Sequence, residues 1–442
     1  MFLNKSLFFK INKYQNSRIK KNLFSGFSLD LIQIISQIFF APLMIFFWGI
    51  NNFGIWIFLV SIPNIILVFN LNFTDASIHE LTKYRLQNKK RKANEIFQNL
   101  LALTLINIFF FSIITISYYF LVETDISILN SIKKSELYLI LLLLIISIYL
   151  NLLGTIFTTV MHSYGKLHYG YNVSLVTDSL SKFLIVFSGY YFNSLIIPAI
   201  IYLSLTSMKF FLNFYFYLIF KKYLKFSIKF ACLKTMMSLA KLSLGHSADL
   251  LTNVLKNSGI IIIIGIFFEA HIVGYVATVK TLFYFFPVRF FGKLNSVVYY
   301  ETSKLYIENK IKLLKKNLYS FYYLTIFLLI VYLITSFLLG PSIYKIWLNN
   351  KYELEIFLLL LILCDVFFFI SRNAIISLLS ALNKNISLGI FELILSIIVI
   401  FMFYYICKLN YSYLYGFALI VASSFISLLF GCMITVRFLK KI

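Results

Sequence analysis

Twelve ionisable residues stand inside long apolar stretches of this 442-residue chain, where a charge is expensive and usually faces a cavity or a partner. The acids are Asp30, Asp178, Asp249, Asp365 and Glu392; the bases are Lys182, Lys209, Lys256, Lys280, Arg289, Lys293 and Arg372. Helical spacing sorts them. Asp30, Gln33 and Gln37 fall at i, i+3 and i+7, on one face. His246, Asp249, Asn253 and Lys256 form a second such stripe. Asp178 and Lys182 are spaced to pair with each other at i, i+4. Asp365 and Arg372 share a face of one stretch, with Glu392 on the next. Lys280 lies ~13 Å along its helix at 1.5 Å per residue, which is mid-membrane. Arg289 and Lys293 are further along and are placed to snorkel to the surface. Acid–base pairs can serve only to hold helices together, and Asp178–Lys182 and Asp249–Lys256 fit that role. Lys280 and Arg372 do not fit it as easily, because bases outnumber acids. Surplus buried cations suit an anionic ligand such as phosphate or pyrophosphate, held by charge-assisted hydrogen bonds.

The elements that carry these residues follow from composition. The chain is 61% hydrophobic and 13% charged, with a mean hydropathy of +0.89, whereas a soluble domain is about a quarter charged. That excludes a soluble fold and implies a polytopic membrane protein. Strands are not expected, since runs such as LYLILLLLIISIYL do not alternate as a barrel requires. The fold class expected is all-α, with twelve spans near 24–48, 53–73, 99–122, 137–161, 171–189, 195–220, 242–268, 272–298, 318–340, 354–382, 386–407 and 410–436. Residues 1–23 read as a retained basic cytoplasmic tail. The basic stretch 221–241 reads as a cytoplasmic linker between two six-helix bundles, 24–220 and 242–442.

The net charge of +24 would suggest nucleic acid in a soluble protein. Here it is explained by basic loops. Six Lys/Arg crowd Lys83–Lys92, where they hold topology and meet anionic lipid; no nucleic-acid partner is expected. With both termini in the cytoplasm, only Lys133, Lys134, Lys345, Lys351 and Lys408 fall in outside segments. Cys232, Cys364, Cys407 and Cys432 are scattered, with no ligand spacing, so neither metal nor redox cofactor is implied. His79, His162, His168 and His271 sit near span ends and read as polar loop residues. Pro42, Pro63, Pro198 and Pro287 are expected to kink spans.

The chain also repeats. With Glu80 aligned to Glu301, Lys83 meets Lys304, Asn88 meets Asn309, Lys89 meets Lys310 and Arg91 meets Lys312, at one offset of 221. FFWGINNFGIW lies over IFFEAHIVGYV, so Gly54 meets Gly274, and Asp30 meets Asp249. Lys166 and Lys384 occupy equivalent short loops. Parallel repeats of six spans are characteristic of transporters, with the substrate path between the halves.

APLMIFFWGINNFGIWIFLVSIPNIILVFNLNFTDASIHELTKYR resembles the N-terminal signature of the polysaccharide exporter family, the Wzx-type flippases of O-antigen and other repeat units. Pro42, Gly49, Gly54 and Trp56 match its pattern, and Asn72 stands where the family usually has Gly. IFFEAHIVGYVATVKTLFYFF is similar to the segment opening the family's second half. The resemblance implies a MATE-like fold of the MOP superfamily, in a bacterial inner membrane. It implies a polyprenyl-diphosphate-linked oligosaccharide as substrate and a polysaccharide polymerase or ligase as partner. On it, Lys280, Lys256 and Arg372 contact the diphosphate, and Asn253, Gln33 and Gln37 the sugar. Asp30, Asp249, Asp178, Asp365 and Glu392 couple to an ion or form cavity salt bridges. A MATE-type exporter of cationic drugs would need surplus acids. A lipid II flippase usually has two further helices. A membrane glycosyltransferase or polymerase would need a sizeable outer loop, and the longest here are about 15 residues.

Overall fold

A computed structural model describes residues 3–68, 73–121, 127–129, 132–192, 194–221, 223–307, 310–381 and 386–441. Asn72, Asn309 and Lys384, and the side chains of His246, Asp249, Glu301 and Lys304, lie outside the described residues.

Fourteen α-helices make up almost all of the described chain: α1 (Leu3–Val68), α2 (Phe73–Leu86), α3 (Lys90–Leu121), α4 (Lys134–Ser163), α5 (Leu167–Tyr191), α6 (Ile196–Phe220), α7 (Leu233–Val254), α8 (Ile260–Phe267), α9 (Ala270–Lys280), α10 (Phe286–Ile307), α11 (Ile311–Trp347), α12 (Ile356–Ala381), α13 (Ile386–Lys408) and α14 (Tyr413–Lys441). Helices are forced on such apolar runs, because hydrocarbon offers the backbone no partner outside the segment. Among the described residues, nine helices are long and apolar enough to cross a membrane, with Leu251–Phe267 as a shorter apolar helix. One of the nine, Phe24–Ile65, is really two, because Gly49 breaks α1 with a positive φ of 77°. Only glycine enters that region without strain. α5 carries Asp178, Lys182 and several hydroxyls, which dilute its apolar character.

The basic runs correct one expectation. The sequence suggests loops there, and the structure has helix. α2 runs to Leu86 and α3 already starts at Lys90, with only a tight turn between, where Asn88 takes φ 55°. Likewise α10 reaches Ile307 and α11 starts at Ile311. Lys, Arg, Glu and Gln are good helix formers, so the helices continue past the hydrocarbon, where hydropathy stops reporting them.

The prolines act differently from one another. Pro198 lies in the first turn of α6, where its missing N–H breaks no bond. Pro287 follows a π-helical turn, Thr281–Phe285, that joins α9 to α10. A proline cannot donate to the carbonyl four residues back, which here is Phe283 O. The Tyr332 hydroxyl donates to that oxygen at 2.9 Å. A second π-turn, Leu255–Gly259, joins α7 to α8.

The repeat is visible in the elements. α3 begins at Lys90 and α11 at Ile311, 221 residues apart. The packing pairs recur as well: α4 on α6 and α12 on α14, α5 on α6 and α13 on α14, α2 on α4 and α10 on α12. Compact units follow contacts rather than chain halves. One holds Met1–Phe40, Phe69–Thr124 and Ile132–Ser243; the other holds Ala41–Val68, Asp125–Ser131 and Leu244–Ile442. Glycine packing explains why Ala41–Val68 belongs to the second unit. A Cβ on Gly54 would overlap the Ala270 carbonyl oxygen and sit 2.9 Å from Gly274 N. A Cβ on Gly274 would lie 2.6 Å from Ile50 O. Small residues let membrane helices approach this closely. Gly54 and Gly274 are the aligned pair of the repeat, and they face each other, as equivalent positions do across a two-fold axis.

Candidate functional site

The polar residues singled out in the sequence fall into two groups, one in each compact unit. In the first unit, Asp30, Gln33 and Gln37 are half-buried on α1. Asp30 is close enough to Tyr171 of α5 to act on it electrostatically. Gln33 O accepts from the Ser36 hydroxyl at 3.0 Å, and Lys182 Nζ donates to Ser36 Oγ at 3.0 Å. Asp178 takes Lys209 of α6 as a partner, at 3.0 Å. The i, i+4 rule that matched Asp178 to Lys182 sees one helix only; α5 packs against α6, which brings in a base from 31 positions away.

The second unit holds the denser cluster. Lys256 and Asn257 come from the π-turn after α7. Lys280 ends α9, and Tyr284 sits on the π-turn that follows. Asp365 and Arg372 project from α12, Glu392 from α13, and Ser424 and Ser427 from α14. A π-turn inserts an extra residue into the helical count, re-aims the side chains beyond it, and recurs at functional sites. Lys256 lies inside one such turn, and Lys280 immediately precedes the other. Asn253, one turn before Lys256, is half-buried.

Partners divide the cations. Arg372 is paired with Glu392, and the Ser427 hydroxyl also donates to that carboxylate. Arg372 and Glu392 are both 3% exposed. Such a pair is stable only while both members remain. Asp365 accepts from the Ser424 hydroxyl at 2.6 Å. Lys256 Nζ donates to Ser424 Oγ at 3.4 Å. Lys280 Nζ donates to Asn257 Oδ1 at 3.0 Å and lies 5.5 Å over the Tyr284 ring. Among the described residues, therefore, both lysines have neutral side chains as their hydrogen-bond partners. The described cluster counts Lys256, Lys280 and Arg372 against Asp365 and Glu392, leaving one cation in surplus. The Tyr284 hydroxyl finds no hydrogen-bond partner among the described residues.

Lys256, Asn257, Lys280, Tyr284 and Asp365 line one pocket, closed on its apolar side by Ile260, Ile362, Phe417 and Ile420. Its free volume of about 10 Å³ admits roughly one water. An anion the size of a phosphate would enter only if these helices moved away from one another.

Asn257, Tyr284, Ser424 and Ser427 were not visible as site residues in the sequence. Serine, asparagine and tyrosine are ordinary in spans, and only the fold brings these to the lysines. Arg289 and Lys293 are exposed, as expected of snorkelling residues, and so are His79, His162 and His271. His168 is half-buried before the fifth span; burial, with Lys166 and Lys21 nearby, holds its imidazole below the ordinary range.

No known family's sequence profile matches this chain, and no curated protein matches it either. Solved structures do. One is a multidrug resistance MATE family transporter of the MOP superfamily in an inward-facing conformation. It matches at TM-score 0.64 and 13% identity, over 93% of this chain and 96% of that one. Another is the lipid II flippase MurJ in an inward closed conformation, at TM-score 0.63 and 16% identity, over 94% of this chain and 87% of that one. A third is a MATE protein in a bent conformation, at TM-score 0.59 and 15% identity, over 96% of both chains. At such identities the likeness is one of fold, and the fold of this multi-pass membrane chain is that of the MOP transporters.

Proposed function

We propose that this chain is a flippase that carries a polyprenyl-diphosphate-linked oligosaccharide from the inner to the outer leaflet of a bacterial inner membrane. The repeat supports two six-span halves, 24–220 and 242–442, joined by the linker 221–241, with both termini cytoplasmic. The observation that carries the reading is the pair Lys256 and Lys280, two half-buried ammonium groups whose hydrogen-bond partners are the neutral Ser424 and Asn257 and which share the nearby carboxylate of Asp365. Charge of this kind deep in a span is retained for a ligand or a partner, and a diphosphate supplies the missing negative charge. Arg372 joins this contact only by exchanging Glu392 for the diphosphate. Gln33, Gln37 and Asn253 offer amides to sugar hydroxyls. Asp30, Asp178, Asp249, Asp365 and Glu392 serve ion coupling or cavity salt bridges. The pocket's small volume fits alternating access, in which the site opens to one side at a time. A polymerase or ligase would take up the delivered unit.

A lipid II-type substrate presents the same diphosphate, and the lysines do not distinguish it; the glycan on the accumulated intermediate does. A MATE-type export of cations finds no support in a site with surplus cations. The test is lipid-linked oligosaccharide in a strain lacking this gene, with leaflet access read by a membrane-impermeant lectin. Protected, inward-facing intermediate should build up and surface glycan should fall. A Lys280→Ala chain, present at the normal level in the membrane, should fail to reverse this. Normal export by Lys280→Ala overturns the assignment.

A further inference from the structure

Between α6 and α7, residues 223–232 have no helix or strand to satisfy their backbone. α3 satisfies it. Three carboxamides in the first three turns of α3 take N–H groups of this segment: Lys225 N–H donates to Asn94 Oδ1 at 2.7 Å, Phe230 N–H to Gln98 Oε1 at 2.7 Å, and Cys232 N–H to Asn99 Oδ1 at 2.8 Å. Thr235 Oγ1 donates to Glu95 Oε1 at 2.9 Å. Asn94, Gln98 and Asn99 are all buried, so they exist for this segment and not for water. Leu224 is buried against Phe97, Phe157, Tyr217 and Leu239. The segment is thus fixed on its inner side from Leu224 to Thr235.

Its outer side is left uncovered. Phe226, Ile228, Phe230, Leu233 and Met237 are exposed, Leu233 by 74%. Lys225, Lys229 and Lys234 are exposed between them, and the segment contains no acid. Water does not tolerate so many large apolar side chains on a clamped loop, and hydrocarbon does not tolerate the lysines. Only the headgroup–acyl boundary suits both. The clamp also fixes which end of the molecule this is. Asn94 is one turn from Lys90 at the start of α3, so the segment sits beside the basic turn Lys83–Lys92.

We infer that residues 223–237 form a membrane-interface strap, fastened by Asn94, Gln98 and Asn99, whose lysines bind anionic phospholipid headgroups while its apolar residues enter the acyl boundary. It pins the joint between α6 and α7 to one leaflet. Each lysine at an anionic surface raises local lipid occupancy about five-fold, so three act together strongly. This inference stands apart from the substrate carried.

The test uses the full chain in nanodiscs, with an environment-sensitive fluorophore on Cys232, which is exposed, and Cys364, Cys407 and Cys432 replaced by serine. Discs are made from phosphatidylcholine alone or with phosphatidylglycerol, each with a shallow nitroxide lipid as quencher. Quenching should rise several-fold in the anionic discs. The Lys225→Gln/Lys229→Gln/Lys234→Gln variant should return it to the zwitterionic level, and three exposed side chains do not disturb the fold. Equal quenching in the two lipid mixtures, quenching unchanged in the triple variant, or a label that stays in water in both overturns the inference. The last outcome would leave the face to a soluble partner.

Discussion

Replacing Gly54 by alanine should push a pair of tightly crossed helices away from each other, and the geometry sets the size of the effect. The new methyl would overlap the Ala270 carbonyl oxygen and lie 2.9 Å from Gly274 N. Both are backbone atoms and cannot rotate away. At the facing position, a methyl on Gly274 would lie 2.6 Å from Ile50 O and 2.8 Å from Ile50 Cγ1. Ordinary contact begins near ~3.5 Å, so the second half of α1 and α9 would have to separate by more than ~1 Å. Overpacking of this kind costs about 1–3 kcal/mol, while alanine regains about 1 kcal/mol over glycine inside a helix. Gly292 is the control, a helical glycine whose added Cβ would meet nothing within 4 Å; Gly292→Ala keeps the gain without the clash. The difference between the two alanine variants therefore isolates the packing. The assay is thermal unfolding of the chain in nanodiscs, followed by the fluorescence of its three tryptophans, of which Trp56 is buried, and by alkylation of the buried Cys407 with Cys232, Cys364 and Cys432 replaced by serine. At about 1–2 °C per kcal/mol for a chain this long, Gly54→Ala should melt a few degrees below Gly292→Ala. Gly54→Ala and Gly274→Ala should be non-additive, since either one already opens the crossing. Equal melting of Gly54→Ala and Gly292→Ala would refute the reasoning, and with it the crossing as a close-packed two-fold contact.

Two further perturbations probe the cluster in the second unit. Glu392→Leu strands the buried Arg372 and should destabilise the chain by about 3–5 kcal/mol, whereas Arg372→Met added to it should recover most of that; a double variant that melts as low as the single one would mean the two do not form a self-contained pair. Tyr284→Phe removes a hydroxyl with no partner among the described residues, so melting should not move. Export should fall roughly ten- to a hundred-fold if that hydroxyl donates to the diphosphate, as a hydrogen bond to a charged group is worth about 1.5–3 kcal/mol. Export at the normal level would confine Tyr284 to its ring contact with Lys280.

The membrane class, the helical fold and the twelve apolar stretches were all determined by the sequence itself, because the bilayer leaves a hydrophobic chain few alternatives. The repeat was legible for the same reason that it persists in the elements: Glu80 over Glu301 and Gly54 over Gly274 hold nearly one offset, and α3 and α11 keep it. Lys256, Lys280 and Arg372 stood out because charge in an apolar run is rare whatever its partners. What periodicity could not supply was partnership. It extends a face at 3.6 residues per turn, and the π-turns at Leu255–Gly259 and Thr281–Phe285 break that count where the lysines lie. It matches Asp178 to Lys182 on one helix, while Lys209 arrives from the neighbouring α6. Hydropathy stopped at the last apolar residue, so the helical ends at Lys90 and Ile307 went unseen. The carboxamides of α3 look like any polar helix start until the α6–α7 segment is laid across them. Which charges are neutralised and which remain for a ligand depends on distances between helices, and those exist only once the chain is packed.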